Sequence, residues 1–244
     1  MKTEIHPSSI IEDGAQIGDG CRIGPFCHVG PQVVLGDGAE LKSHAVIAGK
    51  TTIGKNAKIF PFASIGHEPQ DLKFEGEDCA LIVGDDCIIR EGVTMNPGTK
   101  GDENITTVGN SCVFLAYSHV AHDCRIGNNV IFSNSVMIAG HCKVGNNVII
   151  GGMAGLENDV IPFGMALGNR AYLGGLNLVG MKRAGIERDS IHRVRNAFKD
   201  IFHSDSTVAE SVAELDPELL NDPIVKKITA FITDSADRPL CTPK

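Results

Sequence analysis

No apolar run in this 244-residue chain approaches the roughly 20 residues a membrane-spanning helix needs. The N-terminus, Met1-Lys2-Thr3-Glu4-Ile5-His6-Pro7, has no apolar stretch of the signal-peptide kind. There is no excess of positive charge. Lysine and arginine number 22 against 30 acidic residues, and the net charge of −8 excludes bulk binding to nucleic acid. No Cys-x-x-Cys occurs among the eight cysteines. These absences leave a cytoplasmic protein as the expectation, with one large domain or a domain plus a small appendage.

What is present is a repeat of six residues. An apolar residue opens each hexad, at Ile5, Ile11, Ile17, Ile23 and every sixth position to Ile65. The phase returns at Val83, Ile89 and Met95, slips by one across 101–107, and runs again from Val108 to Leu156. All 23 opening residues are apolar, and in 11 hexads the next residue is glycine, which suits a turn with unusual backbone angles. A small or β-branched residue stands four positions after the opener. Cys21, Cys27, Cys87, Cys112, Cys124 and Cys142 all occupy that slot. They read as small buried hydrophobes, not as disulfide partners or zinc ligands. Cys79 and Cys241 lie outside the repeat.

A period of six over this length is the signature of a hexapeptide solenoid. Three hexads make one triangular coil, so residues about 18 apart stack at one strand spacing, roughly 4.8 Å. The expected fold is an all-β left-handed parallel β-helix over 1–165, with a C-terminal α-helical domain over 166–244. Two segments leave the pattern and read as loops projecting from the solenoid. One covers about 66–82 and contains Gln70-Asp71-Leu72-Lys73; the other is Gly101-Asp102-Glu103-Asn104. After Pro162 the repeat ends. Ile191, Val194, Phe198, Ile201 and Phe202 give 188–202 the stripe of a helix. A second short helix is expected over 206–215. Asp222-Pro223 supplies an N-cap and an N1 proline for a third, to about 233, and 234–244 reads as a loose tail. The helices would cap the solenoid's open strand edges or pack between subunits.

Against the repeat, His119-Val120-Ala121-His122-Asp123-Cys124 stands out. His122 lies two past the inward Val120, so it faces outward. Three readings are open for His119, His122 and His141: polar surface, a three-histidine zinc site, or a catalytic base of near-neutral pKa. The spacing His119-x-x-His122 does not favour zinc. Stacking sets Gly140 one coil from His122 and His141 one coil from Asp123. A Gly140 N–H there could stabilise an oxyanion, and Asp123 could orient an imidazole. Nothing calls for a cofactor or a metal.

The combination of His119-x-x-His122-Asp123-Cys124, Ala139-Gly140-His141, Gln70-Asp71-Leu72-Lys73, Gly168-Asn169-Arg170-Ala171 and Gly175-Leu176-Asn177-Leu178-Val179-Gly180-Met181-Lys182-Arg183 closely resembles the UDP-N-acetylglucosamine acyltransferases that begin lipid A synthesis (the LpxA family), over essentially the whole chain. The resemblance implies a homotrimer with active sites between solenoids. It implies that His122 is the general base, supported by Asp123, with the Gly140 amide as oxyanion donor. The acyl donor would be acyl carrier protein and the acceptor UDP-N-acetylglucosamine. Asp71 and Lys73 would face substrate from the projecting loop, and His119 would border it. His141, Asn177 and Arg183 would contact the nucleotide sugar. A basic stretch, Arg170, Lys182, Arg183, Arg188, Arg193, Arg195 and Lys199, would suit an acidic carrier.

Two departures from the family pattern matter. Gly151-Gly152 runs almost directly into the closing segment at Val160, so about 18 residues, one coil by the repeat's arithmetic, are absent. Second, Asn96 in Thr94-Met95-Asn96-Pro97-Gly98-Thr99 stands where many relatives have histidine. A neutral amide there would tolerate an amine acceptor, so a 3-amino analogue of the nucleotide sugar is an alternative substrate. Equally, Asn96 could only support the turn before Pro97. Another hexapeptide acyltransferase activity and an inactive trimeric scaffold are the remaining alternatives.

Overall fold

The computed structural model describes residues 2–101, 103–235 and 238–244. Within the repeat most hexads contribute a strand of two residues and a corner. The strands stack into three sheets that form the sides of a prism. The first, 10-stranded, runs from Glu4–Ile5 to Tyr172–Leu176. The second, 8-stranded, runs from Ile10–Ile11 to Gly155–Leu156, and the third, 7-stranded, from Gln16–Ile17 to Lys143–Val144. This is the left-handed parallel β-helix expected from the period, followed by helices.

Inward aliphatics stack on their counterparts one coil on: Ile23 on Leu41, Leu41 on Ile59, Ile59 on Ile89, Ile89 on Phe114, Phe114 on Phe132. The two phenylalanine rings lie 4.8 Å apart. Each fully buried side chain of this kind contributes about 1.5–3 kcal/mol. The six repeat cysteines are free and buried, in the small-residue slots between these openers.

The three corners differ in chemistry. Between third and first sheets, each side-chain oxygen accepts from a corner amide one coil away that the strand ladder leaves unpaired. Asp37 Oδ1 accepts from Asp19 N (3.0 Å), Asp85 Oδ1 from Lys55 N (2.7 Å), Asn128 Oδ1 from Asn110 N (2.8 Å) and Asn146 Oδ1 from Asn128 N (2.7 Å). Between first and second sheets runs an aromatic corner, with Phe26, His44, Phe62 and Tyr117 at φ of 58 to 64°. Phe26 and His44 rings are 5.0 Å apart, His44 and Phe62 rings 5.2 Å. Gly92 shares this column, where a Cβ would lie 2.7 Å from the Tyr117 ring.

The third corner, between second and third sheets, carries both loops and the histidines. Val83 pairs with Ile53 after an insertion of two hexads' length, so the phase survives the first loop. Val108 pairs with Val83 after one hexad plus one residue, which is the slip seen in the sequence. Of the second loop, Asp102 lies outside the described residues.

Past Pro162 the first sheet continues through Gly164–Leu167, which pairs antiparallel with Tyr172–Leu176. The helices are α1 (Leu178–Arg183), α2 (Arg188–Phe202), α3 (Val208–Ala213), α4 (Pro217–Leu220) and α5 (Pro223–Asp234). Asp222 caps α5, its Oδ1 accepting from Ile224 N at 2.9 Å. No helix among the described residues is long and apolar enough to cross a membrane.

The tail differs from the loose segment expected. Asp159 N donates to Pro239 O (2.9 Å), Cys241 N to Asp159 O (2.8 Å) and Leu173 N to Thr242 O (3.0 Å). Val160 bridges to Val144 and Leu240 to Asp159, so 159–160 extends the third sheet at its Lys143–Val144 edge and the tail pairs outside it. Backbone groups make this bond, so no side-chain pattern in 234–244 announces it. Arg238 Nε donates to Asp159 Oδ1 at 3.2 Å, and the Asp159 side chain is fully buried. Arg238→Ala should therefore destabilise the protein by about 2–4 kcal/mol, since it strands a buried charge. Urea unfolding should show recovery of part of that loss in Arg238→Ala/Asp159→Asn.

Candidate active site

The strand His119–Val120 turns its valine into the core and delivers Ala121, His122 and Asp123 to the third corner. Asp123 sits at φ 58°, a conformation aspartate tolerates better than most residues, and its side chain is turned inside. There its buried carboxylate accepts from Thr99 N (2.9 and 3.1 Å), from Thr99 Oγ1 at 2.6 Å, and makes a 2.7 Å bond with His122 Nδ1. Thr106 Oγ1 accepts from the Asp123 amide at 2.7 Å. A carboxylate only accepts, so Nδ1 is the protonated nitrogen of this pair, and in the neutral ring Nε2 is the one that bears the lone pair. The His122 side chain is 18% exposed and Asp123 not at all.

Gly140 lies one coil above. A Cβ there would come within 2.6 Å of His122 Cε1 and 2.7 Å of Nε2, so only glycine fits beside the ring. The Gly140 N–H has no acceptor among the described residues. His141 meets His122 edge-on, with ring centroids 5.1 Å apart, and its Nε2 is 3.8 Å from Asp123 Oδ2. The ligand atoms of His122, Asp123 and His141 lie within 4.8 Å of one another. His122 Nδ1 is committed to Asp123, so a metal there would have to break the dyad. The zinc trio weighed from sequence does not assemble in that form: His119 is not among these ligand atoms, and its Nδ1 bonds Thr94 Oγ1 at 2.7 Å. Burial, then the neighbouring His122, pushes the His119 pKa below its ordinary value, which keeps it neutral.

These groups face a groove of about 400 Å³ bordered by Gln70, Asn96, His119, His122, Met137 and Gly140. Asn96 is 5% exposed. It donates from Nδ2 to the carbonyls of His67 (3.0 Å) and Glu68 (3.2 Å), tying the first loop to the solenoid. Its Oδ1 is buried with no partner among the described residues. Asp71 and Lys73 stand at the loop tip instead. Asp71 Oδ1 accepts from Lys73 N (3.0 Å) in a turn that leaves Leu72 fully exposed. Asn177 and Arg183 are elsewhere in the same chain. Asn177 caps α1 through Gly180 N (2.8 Å) and donates to Asn147 O (2.9 Å), at the asparagine-rich corner. Arg183 ends α1 and is exposed.

Of the basic stretch, Arg193 is committed to Asp222 at 2.9 Å. Arg188, His192, Arg195 and Lys199 recur at helical spacing along one exposed face of α2. They border grooves that also contain Leu178, Ile186 and Phe198.

Sequence reading missed Thr99. The second loop sets it 24 residues from Asp123, outside the 18-residue rule that linked His122 to Gly140. A methionine at 137 on the groove wall carried no signal beyond its outward position in a hexad.

A family model described as UDP N-acetylglucosamine O-acyltransferase, domain 2, matches residues 159–241, and the bacterial transferase hexapeptide model matches 14–49 and 105–140. The acyl-(acyl-carrier-protein)–UDP-N-acetylglucosamine O-acyltransferase of Sinorhizobium fredii is 49% identical over 258 aligned positions, covering 98% of this chain and 96% of its own. That of Mesorhizobium japonicum is 45% identical over 261 positions, covering 100% and 94%. Both alignments are longer than this 244-residue chain, so these relatives carry residues that it lacks. The solved UDP-N-acetylglucosamine O-acyltransferase of Moraxella catarrhalis superposes with a TM-score of 0.87 at 37% identity, covering 97% of this chain and 99% of that one. At this identity over nearly its full length, the chain belongs to the UDP-N-acetylglucosamine O-acyltransferase family.

Proposed function

We propose that this protein transfers a 3-hydroxyacyl group from acyl carrier protein to the sugar 3-position of UDP-N-acetylglucosamine, in the cytoplasm, with His122 as general base. The observation that carries the reading is the His122–Asp123 dyad beside an uncommitted Gly140 N–H. His122 Nε2 takes the proton of the sugar hydroxyl, whose oxygen attacks the thioester carbonyl carbon. The Gly140 N–H donates to the oxyanion that forms. The C–S bond then breaks, and the departing thiolate takes the proton from His122.

The working unit is a homotrimer with the site shared between subunits. Two features support this. Asn177 and Arg183, expected at the nucleotide, are at a different corner from His122 within one chain, so only a neighbour could bring them together. Phe26, Phe62, Tyr117 and Met153 form an exposed apolar ridge along the aromatic corner. The α2 face of Arg188, Arg195 and Lys199 is the dock for the acidic carrier. The absent coil is no obstacle to folding: Ile150 pairs directly with Ala166, and the first sheet stays continuous.

With purified protein, UDP-N-acetylglucosamine and 3-hydroxyacyl carrier protein, His122→Ala should lower kcat by about 10²–10⁴-fold with an unchanged melting temperature. A variant retaining more than roughly a tenth of the rate would remove the base from the account.

A second reading rests on Asn96. A hydroxyl nucleophile has one proton, and His122 takes it. An amine has a second N–H, and Asn96 Oδ1 is an acceptor lacking a donor. The 3-amino analogue would then be accepted, giving an amide. Competition between the two nucleotide sugars, scored as the ratio of kcat/KM, should move toward the hydroxyl in Asn96→His. An unchanged ratio sinks this reading alone.

A further inference from the structure

Asp123 is a buried carboxylate that must keep one oxygen on His122 while its negative charge is out of water. One residue supplies most of what holds it. Thr99 donates its amide to both carboxylate oxygens and its hydroxyl, at 2.6 Å, to Oδ2, the same oxygen that bonds His122 Nδ1 at 2.7 Å. Thr99 is itself 5% exposed and lies in a segment pinned at both ends. Gly98 N donates to Ala80 O (3.2 Å), and Lys100 N to Glu77 Oε1 (3.0 Å). Three residues earlier, Asn96 holds the carbonyls of the first loop.

We propose that Thr99 is a positioning residue of the catalytic dyad: its hydroxyl shares Asp123 Oδ2 with His122 and thereby limits how strongly the carboxylate stabilises the imidazolium. The inference rests on His122 being the base. Two donors on one oxygen divide its accepting capacity. Removing the hydroxyl, with the Thr99 amide still fixing the carboxylate, leaves Oδ2 to His122 alone. The imidazolium is then favoured, and the histidine stays protonated to higher pH. Other titratable groups facing this region are His119, His141, Glu157 and Cys79. A change at Thr99 leaves their chemistry as it was.

The test is a pH profile of kcat/KM for wild type, Thr99→Val, Thr99→Ser and His122→Ala, with both substrates and melting temperatures recorded. Thr99→Val should move the acid-side midpoint upward by about half a pH unit, the size expected for one lost hydrogen bond. Below the midpoint kcat/KM should fall by about threefold, the factor half a pH unit carries, while the plateau rate above it and KM for the nucleotide sugar stay within about twofold of wild type. Thr99→Ser keeps the donor and should restore the wild-type midpoint and most of the rate. An unmoved midpoint in Thr99→Val overturns the proposal, as does a Thr99→Ser variant as impaired as Thr99→Val. If Thr99→Val does not fold, the Thr99→Ser profile still decides, because a shifted midpoint there contradicts the donor role. Activity in His122→Ala would defeat the base assignment itself, whatever Thr99 does.

Discussion

The coil-to-coil stacking of a six-residue period governs this molecule. Parallel strands of two residues are too short to hold together alone, and they persist because each inward side chain rests on its counterpart one coil on. That ladder fixes which outward residues meet. It sets Gly140 against the His122 ring, lines up the asparagine and aspartate corner, and stacks the aromatic ridge. One corner extrudes both loops, one of two hexads' length and one of a hexad plus one residue, and after each the next strand re-enters the ladder in register.

At that corner the fold solves an electrostatic problem. A carboxylate is withdrawn completely from water and compensated by donors from a neighbouring loop and from an imidazole. The cost of burying a charge is met by hydrogen bonds in fixed positions. The arrangement leaves one nitrogen of His122 facing the groove and a backbone N–H beside it. Asn177, by contrast, is bonded at the asparagine-rich corner, and Arg183 ends α1 beyond it.

The parts of this design that follow the period were legible in the sequence. The solenoid, the phase kept across 66–82, the one-residue slip near 101–107, the buried cysteines and the His122–Gly140 neighbourhood all come from counting in sixes. Contacts that escape the period were not. Thr99 reaches Asp123 only because the second loop lengthens that coil. The tail's pairing with Asp159 is made by backbone atoms, and Arg193 looks like a free cation until Asp222 is found beside it. The orphaned Asn96 carbonyl depends on where the first loop's own carbonyls point.

The central claim is that stacking sets a bare backbone amide against a general-base ring, and a single methyl group tests it most directly. Gly140→Ala would drive its Cβ to 2.6 Å from His122. Alanine keeps the amide but displaces the ring, so the account predicts a fall in kcat of at least about 100-fold, the size expected for losing a positioned general base, in a chain that still folds. A Gly140→Ala enzyme running at the wild-type rate would contradict it.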